Sequence, residues 1–176
     1  PFFAKDKEIG VDDFFPEIID YFTIKDKTYC IPTGVGSMAL VFYNKRLFDE
    51  AKVPYPTDDW DWNDLLDKAI RLTLRDEEGK AKQYGFITES NRNFSLSNGG
   101  RVVNNLENPT GCLEGEIKFK EGLQFLVDLV HKYKVSPSIS VKESTGMNAI
   151  QMFTSGKLAM YNSGLWNVPI FEEIKD

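Results

Sequence analysis

Apolar and polar positions alternate along this chain in a way that predicts short strands and helices in turn. Helical spacing of apolar residues predicts helices over 12–22, 62–70, 119–133 and 145–154, and a final helix is expected over 165–175. Short apolar runs predict strands over 29–31, 38–43, 84–88 and 158–161, and the polar stretch 89–105 is expected to be a loop. The run 38–43, MALVFY, is typical of a strand that is buried on both faces. This order of elements indicates an α/β fold.

Two of the predicted helices carry well-defined apolar stripes. The first stripe follows Asp61, which is expected to cap the helix, and consists of Trp62, Leu65, Leu66, Ala69 and Ile70. The second stripe consists of Phe119, Leu123, Leu126, Val127 and Val130. The helix over 119–133 is therefore expected to pack on the sheet that contains the run 38–43.

Composition excludes several classes of protein. The 176 residues are 41% hydrophobic and 13% aromatic, which is enough for a folded core. The net charge is −6 and no Lys/Arg-rich run is present, so nucleic acid and anionic membranes are not expected partners. No apolar run is long enough to span a membrane, and no signal peptide is visible. Because the chain begins at Pro1 without an initiator Met, we expect a fragment of a longer protein.

Metal and cofactor sites are not expected either. Cys30 and Cys112 are far apart, and His131 is the single histidine, so a zinc site built from Cys and His is excluded. We expect both thiols to be unpaired and buried. Residues 34–39 match the letters of a dinucleotide-binding fingerprint, but they lead into a strand where that motif requires a helix.

The acidic residues are the candidates for an enzymatic role. Asp58, Asp59, Asp61 and Asp64 cluster at a helix start, where acids are favoured by the helix dipole and stay hydrated. Glycoside hydrolysis requires one carboxyl group with a raised pKa in an apolar pocket, and nothing in the sequence marks one of these four. His131, near the end of a helix, is interpreted as a partner of the helix dipole.

Three tryptophans are candidates for binding. Trp62 belongs to the apolar stripe and is expected in the core, and Trp60 is interpreted as a residue that closes the core at the surface. Trp166 lies in the sequence NSGLW, where a strand gives way to a helix through small residues. Ligands of open α/β sheets bind at such strand ends, where an indole face fits the C–H surface of a sugar and Asn162 offers hydrogen bonds.

Several segments, in order, resemble the family 1 extracellular solute-binding proteins, which include the maltose-binding proteins. The segment 29–45, YCIPTGVGSMALVFYNK, is similar to the family pattern that ends in Y-N-K. It is followed by DWDWNDLL over 59–66, FTSGKLAM over 153–160 and NSGLW over 162–166. The resemblance runs through almost the whole chain.

The resemblance implies the two-lobe fold of the type II periplasmic binding proteins, in which a ligand is bound between two α/β lobes. Residues 1–36 would be the C-terminal part of the first lobe, 37–44 the crossover or hinge strand, and 45–176 an incomplete second lobe.

The resemblance also implies a set of ligand-binding residues. These are Trp166 as an aromatic platform, together with Thr33, Gly36, Ser37, Glu89, Asn91, Arg92 and Asn162 as polar or backbone contacts. Ser37 stands where the maltose-binding proteins carry an acidic group, which argues against a maltose-like specificity.

The function implied is capture of a sugar or oligosaccharide outside the cytoplasm, in the periplasm or on a cell-surface lipoprotein, and delivery to the permease subunits of an ABC transporter. The full protein is expected to be a monomer without a cofactor. Two alternatives stay open. One is a carbohydrate-active enzyme that uses a carboxylate pair including an acid such as Glu89, and the other is an interaction module that binds protein and no small molecule.

Overall fold

The computed structural model describes residues 9–30 and 40–172. By internal contacts the chain divides into two compact units, Pro1–Gly36 and Ser37–Asp176.

The first unit, where it is described, consists of a 3-10 turn, a short helix and a hairpin. The turn spans Val11–Asp13 and helix α1 spans Pro16–Tyr21, with Pro16 at its first position, where a missing N–H is tolerated. Strands β1 (Thr23–Ile24) and β2 (Lys27–Thr28) pair antiparallel. Lys25 and Asp26 between them both have positive φ, as the central residues of a type I′ turn do.

Two predictions for this unit were wrong in detail. The predicted helix 12–22 is interrupted, because Pro16 has no N–H to continue a helix from the preceding turn. The strand predicted over 29–31 lies earlier, in the hairpin, and Tyr29 and Cys30 are in no strand. Ile31 lies outside the described residues.

The second unit contains a four-stranded sheet in the order β3-β6-β5-β4. The strands are β3 (Leu40–Tyr43), β4 (Leu74–Arg75), β5 (Ala81–Thr88) and β6 (Leu158–Ser163). β6 runs parallel to β5 and antiparallel to β3, and every residue of β6 is buried. The strands predicted over 84–88 and 158–161 are confirmed and extend further.

The predicted strand 38–43 is present over Leu40–Tyr43, and Met38 and Ala39 lie outside the described residues. The prediction that this strand is buried on both faces is wrong. In the described sheet β3 lies at the edge and pairs with β6, and Leu40 is exposed while Val41–Tyr43 are half-buried. A continuous apolar run does not tell a central strand from an edge strand that is covered by helices.

In the described part of the second unit, seven helices lie around the sheet. They are α2 (Lys45–Ala51), α3 (Trp62–Arg71), α4 (Asn93–Ser97), α5 (Ile117–His131), α6 (Ile139–Thr145), α7 (Ala149–Thr154) and α8 (Val168–Glu172). One core contains side chains of α2, α3 and α5 together with Phe86 and Met160, and a second contains those of α7 together with Ile87 and Tyr161. Because consecutive strand residues face opposite sides, the helices cover both faces of the sheet.

Helix α3 confirms the predicted start at Asp61. The Asp61 side chain accepts hydrogen bonds from the backbone N–H groups of Asn63 and Asp64, and Asp64 reaches back to the N–H of Asp61. This is a reciprocal capping box. Of the predicted stripe, Ile70 is 49% exposed and so does not belong to the core.

The other helices correct four predictions. The loop predicted over 89–105 contains α4. The helix predicted over 145–154 begins only at Ala149, as α7, because Gly146 ends the preceding α6 with a left-handed conformation and Asn148 caps α7. In α5 the buried positions are Phe119, Gly122 and Leu129, whereas Val127 is 50% exposed, so the apolar stripe was centred on the wrong face. The expected final helix begins with a 3-10 turn, Leu165–Asn167, before α8.

Candidate functional site

The carboxyl ends of β5 and β6 meet at one edge of the sheet, because the two strands are parallel. Thr88 of β5 lies opposite Asn162 of β6. β3 runs the other way, and its first described residue, Leu40, pairs with Ser163. Chain segments from three strands therefore meet at the edge where ligands of open α/β sheets bind.

Asn162 holds this edge together. Its side-chain Oδ1 accepts hydrogen bonds from Thr88 Oγ1 at 2.7 Å and from Asn93 Nδ2 at 3.2 Å, and its Nδ2 donates to the Leu40 carbonyl at 2.9 Å. The side chain is buried. Asn162 thus links β3, β5 and α4.

A second polar group fixes the turn that carries Trp166. Ser163 Oγ donates to Glu89 Oε2 at 2.5 Å and accepts a hydrogen bond from Asn167 Nδ2 at 2.7 Å. Ser163 and Asn167 flank the three residues 164–166, so the hydrogen bond between them closes the turn, and Ser163 links the turn to the carboxylate that follows β5. A short hydrogen bond to a charged oxygen is stronger than one between neutral groups.

Trp166 lies on this turn with its indole ring over the backbone of Gly164. A β-carbon on Gly164 would overlap three atoms of the ring, so the ring lies in the space that glycine leaves. The residue is 50% exposed and belongs to neither core cluster. An indole fixed against backbone on one side and open on the other is a flat apolar surface at the sheet edge.

Tyr161 and Asn167 bring buried polar atoms into the same region. The Tyr161 hydroxyl lies beside Glu89, Ser163 and Asn167, and Asn167 Oδ1 is buried without a hydrogen bond to any described residue. Burial raises the pKa of Tyr161 to about 12, and the neighbouring Glu89 adds to the rise. The hydroxyl is therefore neutral at physiological pH.

The loop after β5 carries the other predicted contacts. Ser90 Oγ accepts hydrogen bonds from the N–H groups of Arg92 and Asn93, which starts α4. The Arg92 guanidinium forms an ion pair with Glu114 at 2.8 Å. Asn91 is exposed between them.

The structure thus brings Glu89, Asn162 and Trp166 together at one edge. Arg92 is engaged with Glu114, and Asn91 lies on the same loop as Glu89. Thr33, Gly36 and Ser37 lie outside the described residues. A role of any of these eight residues in ligand binding remains a prediction.

Sequence reasoning missed a pocket on the side of the sheet edge that faces α3 and α4. Its volume is about 240 Å³, and it is lined by three aromatic side chains, two amides and a carboxylate, namely Trp60, Trp62, Phe94, Asn93, Asn162 and Asp61. We call it the Trp60 pocket. The WDW letters over 60–62 were the available signal, but the other walls come from segments that are distant in the chain.

The acidic residues and His131 that the sequence analysis considered for catalysis form no cluster of their own. Asp61 and Asp64 are engaged in the capping box, and Asp58, Asp59 and His131 are exposed. Among residues 9–30 and 40–172 there is no group of three His, Cys, Asp or Glu side chains that could hold a metal ion.

Cys30 and Cys112 are free, as expected, but both are exposed, so their predicted burial was wrong. None of the described helices is both long and apolar enough to cross a membrane.

The sheet with helices on both faces, and the polar and aromatic residues where β5 and β6 end, are typical of α/β domains that bind a small ligand at the carboxyl ends of parallel strands. Residues 3–175 match the family of bacterial extracellular solute-binding proteins, and the chain belongs to this family. The family description places its members outside the cytoplasm.

Solved structures agree with this assignment. An ABC substrate-binding protein from Listeria monocytogenes in complex with cycloalternan is 28% identical with a TM-score of 0.78, over 98% of this chain and 43% of that one. A solute-binding protein from Thermotoga lettingae bound with α-D-tagatose is 24% identical with a TM-score of 0.74, over 97% and 43%. The sugar-binding protein MalE from Xanthomonas citri is 24% identical with a TM-score of 0.63, over 98% and 42%.

These similarities confirm the resemblance to the maltose-binding-protein-like solute-binding proteins and the α/β fold of their two-lobe structures. The chain spans less than half the length of each of the three neighbours. The assignment of residues 1–36, 37–44 and 45–176 to lobes and hinge stays a prediction.

Proposed function

We propose that the protein captures a sugar or oligosaccharide outside the cytoplasm and delivers it to the permease of an ABC importer. The observation that carries this proposal is the half-exposed Trp166 ring, held over Gly164 at the sheet edge beside Glu89, Ser163 and Asn167. An indole face gives a sugar ring its apolar contact, and the surrounding polar groups provide hydrogen bonds to hydroxyls.

The neighbours support carbohydrate as the ligand class. The structure from Listeria contains cycloalternan and the one from Thermotoga contains α-D-tagatose, and others contain mannobiose and mannotriose. These ligands differ in size and linkage, so they favour carbohydrate in general and no particular sugar.

The properties of the acidic residues Asp61 and Glu89 agree with a protein that binds its ligand without transforming it. The backbone N–H groups of Asp64 and Asn63 lower the pKa of Asp61. A general acid at neutral pH requires a raised pKa, so Asp61 is unsuited to the general-acid role in glycoside hydrolysis. Glu89, the other candidate, accepts a hydrogen bond from Ser163 and acts in this proposal by fixing the Trp166 turn. In the full protein, lobes that close on the sugar would bury it and create the form that a permease binds.

The test is titration calorimetry of the full-length protein with a panel of sugars, followed by substitution of Trp166. Trp166→Ala is expected to weaken binding by about 2 kcal/mol or more, as truncation of an aromatic hot spot does. Its unfolding free energy should fall by less than the ~3–5 kcal/mol lost when a core Trp is removed. Gly164→Ala should also weaken binding although the indole is retained, because the new β-carbon displaces the ring.

Leu106→Ala serves as the control, because Leu106 is 89% exposed and lies in neither the edge nor a core. Unchanged affinity with a large loss of stability in Trp166→Ala would make Trp166 a structural residue and contradict the proposal. Product analysis after incubation separates a carrier, which returns the sugar unchanged, from an enzyme. Restored sugar uptake in a strain that lacks the protein, by wild type and not by Trp166→Ala, tests delivery to the permease.

A further inference from the structure

The Trp60 pocket lies at the same sheet edge as Trp166 but is a separate depression. Asn162 lines the pocket and precedes by two residues the Gly164 on which the Trp166 ring lies. Four residues of extended chain span at most about 14 Å, so the pocket and Trp166 lie within the length of a short oligosaccharide.

Trp60 and Trp62 are fixed before any ligand arrives. The Trp60 backbone N–H donates to the Thr57 carbonyl in a turn, and the Trp60 side chain is partly buried against the first core. The Trp62 ring stacks on Phe125 with centroids 4.8 Å apart, and its Nε1 donates to Ser97 Oγ at 3.3 Å. Aromatic side chains that are already ordered lose little conformational entropy on binding.

The chemistry of the pocket favours a neutral polyol with an apolar face. Trp60, Trp62 and Phe94 supply aromatic surface, and the amides of Asn93 and Asn162, which hydrogen-bond to each other, make one wall polar without a charge. Among the described residues no Lys or Arg lines the pocket, and the Asp61 carboxylate, whose pKa is lowered by the backbone N–H groups of Asp64 and Asn63, is ionised at neutral pH. Phosphates and other anions are therefore disfavoured.

Size limits the ligand further. Pockets for drug-sized ligands have volumes of roughly 300–1,000 Å³. A volume of about 240 Å³ suits one sugar ring and not a chain of several.

We propose that the Trp60 pocket is a second sugar subsite, which binds one ring of an oligosaccharide while another ring stacks on Trp166. The ligand is accordingly an oligosaccharide of at least two rings. This inference rests on the proposed function. It adds that the ligand has at least two rings and that Trp60 makes the affinity depend on the length of the oligosaccharide.

The experiment titrates the full-length protein with two ladders of probes, glucose oligomers and mannose oligomers of one to four rings. The variants are Trp60→Ala and Trp60→Phe, with Leu106→Ala as the control. Trp62 is left unchanged because it packs on Phe125. Trp60→Ala is expected to lower the affinity for the longest bound oligomer by about tenfold or more, and the affinity for the shortest by less than about twofold. Trp60→Phe should restore part of the loss, since it retains a ring.

Equal weakening at every length would mean that Trp60 acts through the fold, and unchanged affinity at every length would mean that no ring occupies the pocket. Either result overturns the subsite. If Trp166→Ala still weakens binding in these cases, the proposed function stands without the subsite. If the wild-type protein binds neither ladder, both the sugar-binding proposal for these sugars and the inference fail.

Discussion

At the scale of single residues, the side chains around the Trp166 turn differ in how much of their hydrogen-bonding capacity the protein itself uses. Asn162 uses both ends of its amide within the protein, so its evident role is to join three elements. Ser163 both donates and accepts. Asn167 Oδ1 is buried without such a bond to a described residue, which is costly for a polar group.

Tyr161 gives the protein a pH dependence in the alkaline range. Its pKa is raised to about 12, from an ordinary value near 10, mainly by burial, so the folded state holds the phenolic proton where the unfolded state has lost it. This contribution to stability is fully present below about pH 10 and is lost as the pH rises towards 12. We expect denaturant melts of wild type to show a steeper loss of unfolding free energy between these pH values than melts of Tyr161→Phe. Parallel curves for the two proteins would show that Tyr161 does not titrate differently on unfolding.

At the scale of elements, α4 and α5 approach so closely that only glycine fits at their contact. A β-carbon on Gly122 of α5 would overlap backbone atoms of Ser95 and Phe94 in α4. Ser95 Oγ also donates to the Phe119 carbonyl at 2.7 Å, which fixes the same contact. The position of Asn93, at the start of α4, therefore depends on this contact between helices.

Replacing Gly122 by alanine should destabilise the protein, although alanine favours an isolated helix by about 1 kcal/mol. The overlap with backbone forces the two helices apart, and overpacking of this kind costs about 1–3 kcal/mol. Gly115→Ala is the matched control, because a β-carbon there meets no atom within 4 Å. Denaturant melts should show a clear loss for Gly122→Ala and a change within about 0.5 kcal/mol for the control. Equal stability of the two variants would mean that α4 can move away without cost.

At the scale of the whole molecule, the two units differ in their cores. Within residues 9–30 no side chain is buried, and Phe15, Tyr21 and Tyr29 are 70%, 80% and 67% exposed. Both core clusters lie in the second unit. Apolar surface of this extent in the first unit is expected to need cover from further chain, since ordering a segment costs more than it gains without burial.

Limited proteolysis of the isolated 176-residue chain should therefore cut within the first unit before the second. In the full-length protein the same segment should be protected, and sugar affinity should be higher than that of the isolated chain. Mass spectrometry of the fragments and calorimetry measure the two effects. Equal resistance of the two units in the isolated chain, together with tight sugar binding, would argue against a cleft shared with further chain.

The sequence by itself determined the local features. Helix α3 begins at Asp61 and β6 follows the apolar letters from Leu158, because capping and side-chain periodicity act over three or four residues. The same reasoning placed Trp166 on a turn after a strand. The break between α6 and α7 was also locally encoded, by Gly146 and Asn148, and was missed.

Tertiary structure decided what distant segments do together. The place of β3 at the edge depends on pairing between residues more than a hundred positions apart, and the Glu89–Ser163 hydrogen bond spans 74 positions. The Trp60 pocket requires walls from β3, α3, α4 and β6. Which segments meet is set by burial and loop closure over the entire chain, and no local spacing of residues carries that information.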